Sequence, residues 1–331
     1  MEIIKLGNTG LEVSKMGLGL AALGRPGYIT LKREEDLGTL HSAEDWEQHT
    51  HNMLAEAWRL GIRYFDAARS YGRAEKFLGD WLREQQAPEQ QVVVGSKWGY
   101  TYTANWQKQA NQHEIKNHSL PQLEKQREES NLLLGSYLKI YYIHSATLES
   151  GVLDNKLVLE RLYTLKNTGL TIGLSVSGTG QAETIEKALE IKFDDTYLFS
   201  VVQATYNILE TSAEQALKKA AQAGWGIIIK EGMANGRLSL RAPQDEQSAL
   251  LDSINTISRE ANISPDAVAL AYIAQQNWVH VVLSGAVTTD QLRHNIKAME
   301  NPLNSKHMNL LSGLAESPEN YWKNRKELPW N

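Results

Sequence analysis

The chain contains no cysteine in 331 residues. Disulfides, thiolate metal sites and cysteine nucleophiles are therefore excluded, and the chemistry must use other groups. Long apolar runs are missing as well. None approaches the roughly 18 residues needed to span a bilayer, and the opening "MEIIKLGNTGLEVSKMGLG" lacks a basic stretch followed by an apolar one. These absences predict a cytoplasmic protein. Blocks of like charge are also lacking: 34 Lys and Arg stand against 39 Asp and Glu, net -5, and they are scattered. That leaves no electrostatic footprint for nucleic acid or for an anionic membrane. There is no HExxH spacing and no Walker-type loop. No Pro-, Gly- or Ser-rich linker interrupts the chain. One domain over residues 1–331, acting on a small molecule, is the expectation.

Short apolar runs alternate with stretches of helical period. "IRYF" precedes "AEKFLGDWLRE", "VVVGSK" precedes "LPQLEKQREESNLLLG", "KIYYIH" precedes "LVLERLYTLKNTG", and "TIGLSVS" precedes "QAETIEKALE". The order continues through "LFSVVQ", "GIIIK" and "HVVLSG", each with helical sequence behind it. With "SKMGLGL" at the front, about eight β-α units result, the number that closes a parallel (β/α)8 TIM barrel. The opening "EIIKLGNTGLEVSK" has two short alternating runs around Asn-Thr-Gly and reads as an N-terminal β-hairpin plugging the barrel bottom. Three segments exceed ordinary loop length: residues 21–44, "GYTYTANWQKQANQHEIKNH", and a C-terminal tail from Asn301 to Asn331. The first carries the charged "LKREEDLGTLHSAEDWEQ" and reads as a solvated excursion. In the second, Tyr100, Tyr102 and Trp106 either pack on helices or wall a substrate.

Barrel chemistry sits at the C-terminal strand ends, and here those ends are polar. The second strand ends at Asp66, the third at Lys97 and the fourth at His144, with Tyr71 in the loop beyond Asp66. Any one alone is an ordinary rim residue. Adjacent strands lie about 5 Å apart, so the three share one rim. An ammonium beside a phenol stabilises phenolate and lowers its pKa. Lys97 supplies such a cation for Tyr71, Asp66 holds Lys97, and His144 can bond a substrate oxygen. A proton donor without a metal needs a partner to attack carbon, and nicotinamide hydride is the economical choice.

Together "LGNTGLEVSKMGLGLAALG", "FDAARSYG", "SKWG" and "YYIHSA" resemble the aldo-keto reductase family. The resemblance runs on to "VTTDQLRHN". It implies the barrel and NAD(P)-dependent reduction of an aldehyde or ketone, with Tyr71 as general acid, Lys97 and Asp66 as the pair that tunes it, and His144 orienting the carbonyl. On the cofactor side it implies Ser175 and Gln203 at the nicotinamide carboxamide, Lys230 where a stacking Tyr is usual, Gly285 and Ala286 at phosphate, and Asn295 at adenine. Val176 stands where an Asn is usual. Gly285, Val287 and Gln291 occupy positions where NADP-selective relatives place cations, with Arg293 nearby, so NADP and NAD both stay open. Thr288 or Thr289 is placed to cap the following helix. Trp98, Trp106, Trp322 and Trp330 are either aromatic walls or packing. A cofactor-binding regulatory or redox-sensing subunit with little turnover is the alternative on the same fold. The substrate and the oligomeric state are not legible.

Overall fold

The computed structural model describes residues 1–239 and 248–330. Eight parallel strands close into a barrel: Met16–Gly19 (β1), Tyr64–Asp66 (β2), Val93–Trp98 (β3), Leu138–Ala146 (β4), Thr171–Val176 (β5), Val201–Thr205 (β6), Gly226–Lys230 (β7) and Val281–Ser284 (β8). Pairing of Val282 with Met16 completes the ring. Strand residues alternate in direction. Tyr64, Val93, Ile140, Tyr142, Val201, Ile228 and Val281 fill the interior, where they meet Leu6 and Val13 of the N-terminal hairpin, Ile3–Lys5 with Glu12–Ser14. The hairpin thus plugs one end, as expected. Burying Leu6 and Val13 there stabilises by about 1.5–3 kcal/mol each.

The helices pack outside this ring: Ala43–Arg59 (α1), Ala74–Glu84 (α2), Leu120–Leu134 (α3), Lys156–Asn167 (α4), Gln181–Glu190 (α5), Glu214–Gln222 (α6), Ser248–Ala261 (α7), Pro265–Ala274 (α8) and Thr289–Glu300 (α9). Helix α2 shows why they sit there. Phe77, Leu78, Trp81 and Leu82 recur at helical spacing and are buried together on the strand side. Ser42 starts α1 through a capping box with Asp45, and Thr288 starts α9 through one with Gln291. The tail is largely helical, with Ser305–Ser312 (α10) and Pro318–Glu327 (α11). Asn331, the end of the expected tail, lies outside the described residues. Among the described residues no helix is long and apolar enough to cross a membrane.

Two sequence expectations need correction. Residues 21–44 are not one solvated excursion: Ala21, Arg25, Tyr28 and Leu31 line the central cavity. Arg33, within the charged run, is buried and donates to the carbonyls of Ala22, Pro26 and Arg25. Its guanidinium folds the loop back on itself, which is why the charge did not mean solvent; burial brings its pKa down to about 9. The strand ends also shift. β3 runs one residue past Lys97, and β4 two past His144, with a register break between Ile143 and Ala146.

Candidate active site

The inward positions above the apolar layer are polar. Asp66 pairs in register with Gly95, and Lys97 with Tyr142, so Asp66, Lys97 and His144 share the inward-facing parity of adjacent strands. Lys97 Nζ lies 2.5 Å from Asp66 Oδ2 and 2.9 Å from the Ala67 carbonyl. The other Asp66 oxygen accepts from Gln203 Nε2 at 2.8 Å and from the Tyr64 hydroxyl at 3.3 Å. Lys97 is 1 % exposed and Asp66 2 %, so removing either partner would leave the other's charge buried and uncompensated. The Lys97 ammonium stands 4.8 Å from the centre of the Tyr71 ring, and that ring meets His144 edge-on at 5.5 Å. All four sequence-predicted residues thus come together.

Glycine makes the loop contact possible. A Cβ on Gly24 would sit 2.3 Å from the Tyr71 carbonyl, and Gly72, at φ +61, would place one 2.4 Å from the Gly24 carbonyl. Only bare backbone lets the segment after β1 lie on the Tyr71 loop. That contact delivers a residue the sequence reading missed, Arg25. Its Nη1 donates to the Ser70 carbonyl at 2.9 Å and to Glu114 Oε2 at 3.0 Å, while its Cζ lies 5.4 Å from the Tyr71 ring centre. The available signal was its position just past the first strand, at the rim where barrel sites lie.

The electrostatics correct one expectation. Burial pushes the Tyr71 phenol well above its ordinary value, the Asp66 carboxylate pushes it further, and Arg25 pulls it back. The phenol is therefore held protonated rather than made more acidic, because desolvation outweighs the cations. Burial lowers Lys97, with Asp66 opposing. His144 falls well below its usual range through burial, then through the charges of Lys97 and Arg25. Its ring is neutral at physiological pH. Nδ1 lies 3.4 Å from Ser70 Oγ, which leaves Nε2 for a ligand.

A cavity of about 360 Å³ runs from Tyr71 and His144 along the rim past Gln203 and Lys230 to Gly285, Ala286, Gln291 and Asn295. Most expected cofactor residues thus line one continuous space. A Cβ on Gly285 would meet no atom within 4 Å, so the backbone stands open there. Asn295 donates to Ser284 Oγ at 2.9 Å, and its buried Oδ1 has no partner among the described residues. An elongated ligand with a donor at that end fits. Ser175 is not on the wall; its Oγ accepts from the Ser145 amide at 2.8 Å. Gln291 caps the Val287 and Thr288 amides and donates to Asp36 Oδ2 at 2.9 Å. Arg293 is turned to Glu56 at 2.7 Å and Asp290 at 2.9 Å.

The tail closes the remaining side. Arg325 of α11 bonds both oxygens of buried Glu231, at 3.0 and 2.8 Å through Nε. Lys230 Nζ donates to Thr205 Oγ1 at 2.7 Å, and burial takes its pKa down to about 8. Of the four tryptophans, Trp330 lines the cavity; Trp98 meets His118, Trp106 meets Trp46 and Phe77, and Trp322 meets Tyr321. Burial would raise the Glu231 carboxyl, yet the charges of Arg325 and Lys230 hold it at about 2. A depressed value stabilises fully above the unfolded value of about 4.3, and the gain is lost as pH falls toward about 2. Arg325→Met is expected to cost about 3 kcal/mol at neutral pH, near the low end because the Arg325 side chain is 25 % exposed. Urea titrations from neutral pH downward check this: the gap to wild type should narrow in acid, and a constant gap would assign the loss to packing.

The model of the Aldo/keto reductase family matches residues 15–316, and the chain belongs to that family of oxidoreductases acting on carbonyl groups. It is 24 % identical to the NADH-specific methylglyoxal reductase of Escherichia coli, covering 96 % of this chain and 100 % of that one. It is 24 % identical to the pyridoxal 4-dehydrogenase of Microbacterium luteolum, over 88 % and 91 %. Among solved structures, the holo form of an aldo-keto reductase from Bacillus halodurans matches with a TM-score of 0.72 at 22 % identity, over 96 % and 97 % of the chains, and shows the shared fold.

Proposed function

We propose that the protein is an NAD(P)-dependent reductase of an aldehyde or ketone, with Tyr71 as the proton donor. The observation that carries this is the buried Lys97–Asp66 pair set against the face of a cavity-lining tyrosine, with a neutral histidine at its edge. A bound nicotinamide dinucleotide would supply hydride to the carbonyl carbon. The protein's own part is to hold the carbonyl oxygen between His144 Nε2 and the Tyr71 hydroxyl and to deliver the phenolic proton as charge develops on that oxygen. Lys97 then balances the phenolate that remains. Gln203 and Lys230 flank the nicotinamide end, and Gly285, Ala286 and Asn295 the adenosine end. Gln203 also bonds Asp66, so it couples the cofactor side to the catalytic pair.

The outer end of the cavity bears on cofactor choice. Asp36 stands beside Gln291, Arg33 already donates to backbone carbonyls, and Arg293 is ion-paired elsewhere. A 2′-phosphate therefore meets a carboxylate rather than a clamp. We expect NADPH and NADH dissociation constants within about tenfold of each other, or about 1.4 kcal/mol. Fluorescence titration of both cofactors at fixed salt tests this, and NADPH binding more than about a hundredfold tighter, roughly 2.7 kcal/mol, would refute it. Adding a reactive aldehyde to the loaded protein tests the function itself. Rapid single-turnover oxidation supports a reductase, whereas tight binding with almost no oxidation would favour the redox-sensing subunit.

A further inference from the structure

We propose that Arg25 recognises an oxygen on the carbon next to the reacting carbonyl, so that the preferred substrates are uncharged hydroxy- or oxo-aldehydes rather than plain alkanals. This rests on the reductase reading of the same cavity. Arg25 is 3 % exposed, yet it lines the cavity beside Tyr71 and His144. One terminal nitrogen, Nη1, makes both of its hydrogen bonds, to Ser70 and Glu114. Its Nε is buried with no partner among the described residues, and no bond engages Nη2 there. Nε is closed off from the cavity, so the donor left for a ligand is Nη2, and a ligand oxygen there would fill a guanidinium otherwise bonded through Nη1 alone.

Its position selects which oxygen. The guanidinium is stacked among Tyr71 at 5.4 Å, Tyr28 at 5.5 Å and Trp330 at 5.1 Å, and Trp330 is itself stacked on His113 at 3.9 Å. It is fixed rather than free to follow a distant group. A carbonyl oxygen held by the Tyr71 hydroxyl places the neighbouring carbon, and any oxygen on it, toward the residue lying on the Tyr71 face. The charge of Arg25 is already answered by Glu114, whose carboxylate is 3.0 Å away. A second carboxylate from the ligand would be opposed by Glu114, which is why an uncharged oxygen is assigned.

Lactaldehyde and isobutyraldehyde differ by a hydroxyl in place of a methyl, so their kcat/KM ratio reads the contact. Wild type should prefer lactaldehyde at least about tenfold, the loss expected when a buried donor is left unpaired. Arg25→Met should bring the ratio within about threefold of one, with Arg25→Lys between. A wild-type ratio near one, or a ratio that survives in Arg25→Met, would overturn the proposal. Should Arg25→Met fail to fold, Glu114→Gln serves: freeing the guanidinium charge should raise turnover of glyoxylate relative to glycolaldehyde. No change in that ratio, or a wild type that already prefers glyoxylate, would overturn it as well. If wild type binds cofactor and reduces none of these aldehydes, the reductase reading falls first and this inference with it.

Discussion

Tyr71→Phe is expected to lower carbonyl reduction by at least about a hundredfold, the lower range for removing a general acid. The change deletes one oxygen and little else. Tyr71 meets His144, Lys97 and Arg25 through its ring, and a phenylalanine ring keeps all three contacts. Among the described residues no hydrogen bond of the hydroxyl to another side chain is broken, so stability should move by no more than about 1 kcal/mol. Cofactor affinity should stay within about twofold, because the phosphate and adenosine end lies at β8, along the cavity from Tyr71. Steady-state turnover, cofactor titration and urea unfolding separate these outcomes. If the Phe variant kept more than about a tenth of wild-type turnover, another group would have to donate the proton.

How far such a site can be read in advance depends on which contacts are local. Alternation along a strand and repetition of the β-α unit suffice to bring Asp66, Lys97 and His144 to one rim, because neighbouring parallel strands keep their ends level. Tyr71 follows because its loop is short. The hairpin plug was legible for the same reason, being a local turn between two alternating runs. Arg25 was not: its place depends on the Gly24 backbone meeting the Tyr71–Gly72 turn, a contact between separate β-α units. Charge misled in the same region, since Arg33 spends its donors on carbonyls of its own loop. The direction of the Tyr71 shift was hidden too. A neighbouring ammonium is visible in a sequence, but the desolvation that outweighs it depends on what the tail and the segment after β1 cover. Arg325 is held at the cavity by Glu231, and Trp330 by its bridge to Ile29 and its stack on His113, all contacts between distant parts of the chain.

Lys97→Met is expected to abolish turnover as fully as Tyr71→Phe, but with a stability cost the tyrosine change lacks. It strands Asp66, 2 % exposed, with Gln203 and Tyr64 as its remaining donors. An uncompensated buried carboxylate of this kind costs about 3–5 kcal/mol. Loss of activity in that variant alone would therefore be ambiguous. Pairing it with Asp66→Asn removes the stranded charge, and the double variant should recover most of the stability while remaining at least about a hundredfold down in turnover. The reason is that Lys97 has two separable duties: its salt bridge neutralises Asp66 inside the barrel, and its ammonium, 4.8 Å from the Tyr71 ring centre, balances the phenolate left after proton transfer. Asparagine makes the first unnecessary and leaves the second unmet. Urea midpoints and single-turnover rates on the same preparations distinguish them. A double variant that regained turnover together with stability would reduce Lys97 to a structural counter-ion and leave the Tyr71 phenolate to be balanced by Arg25.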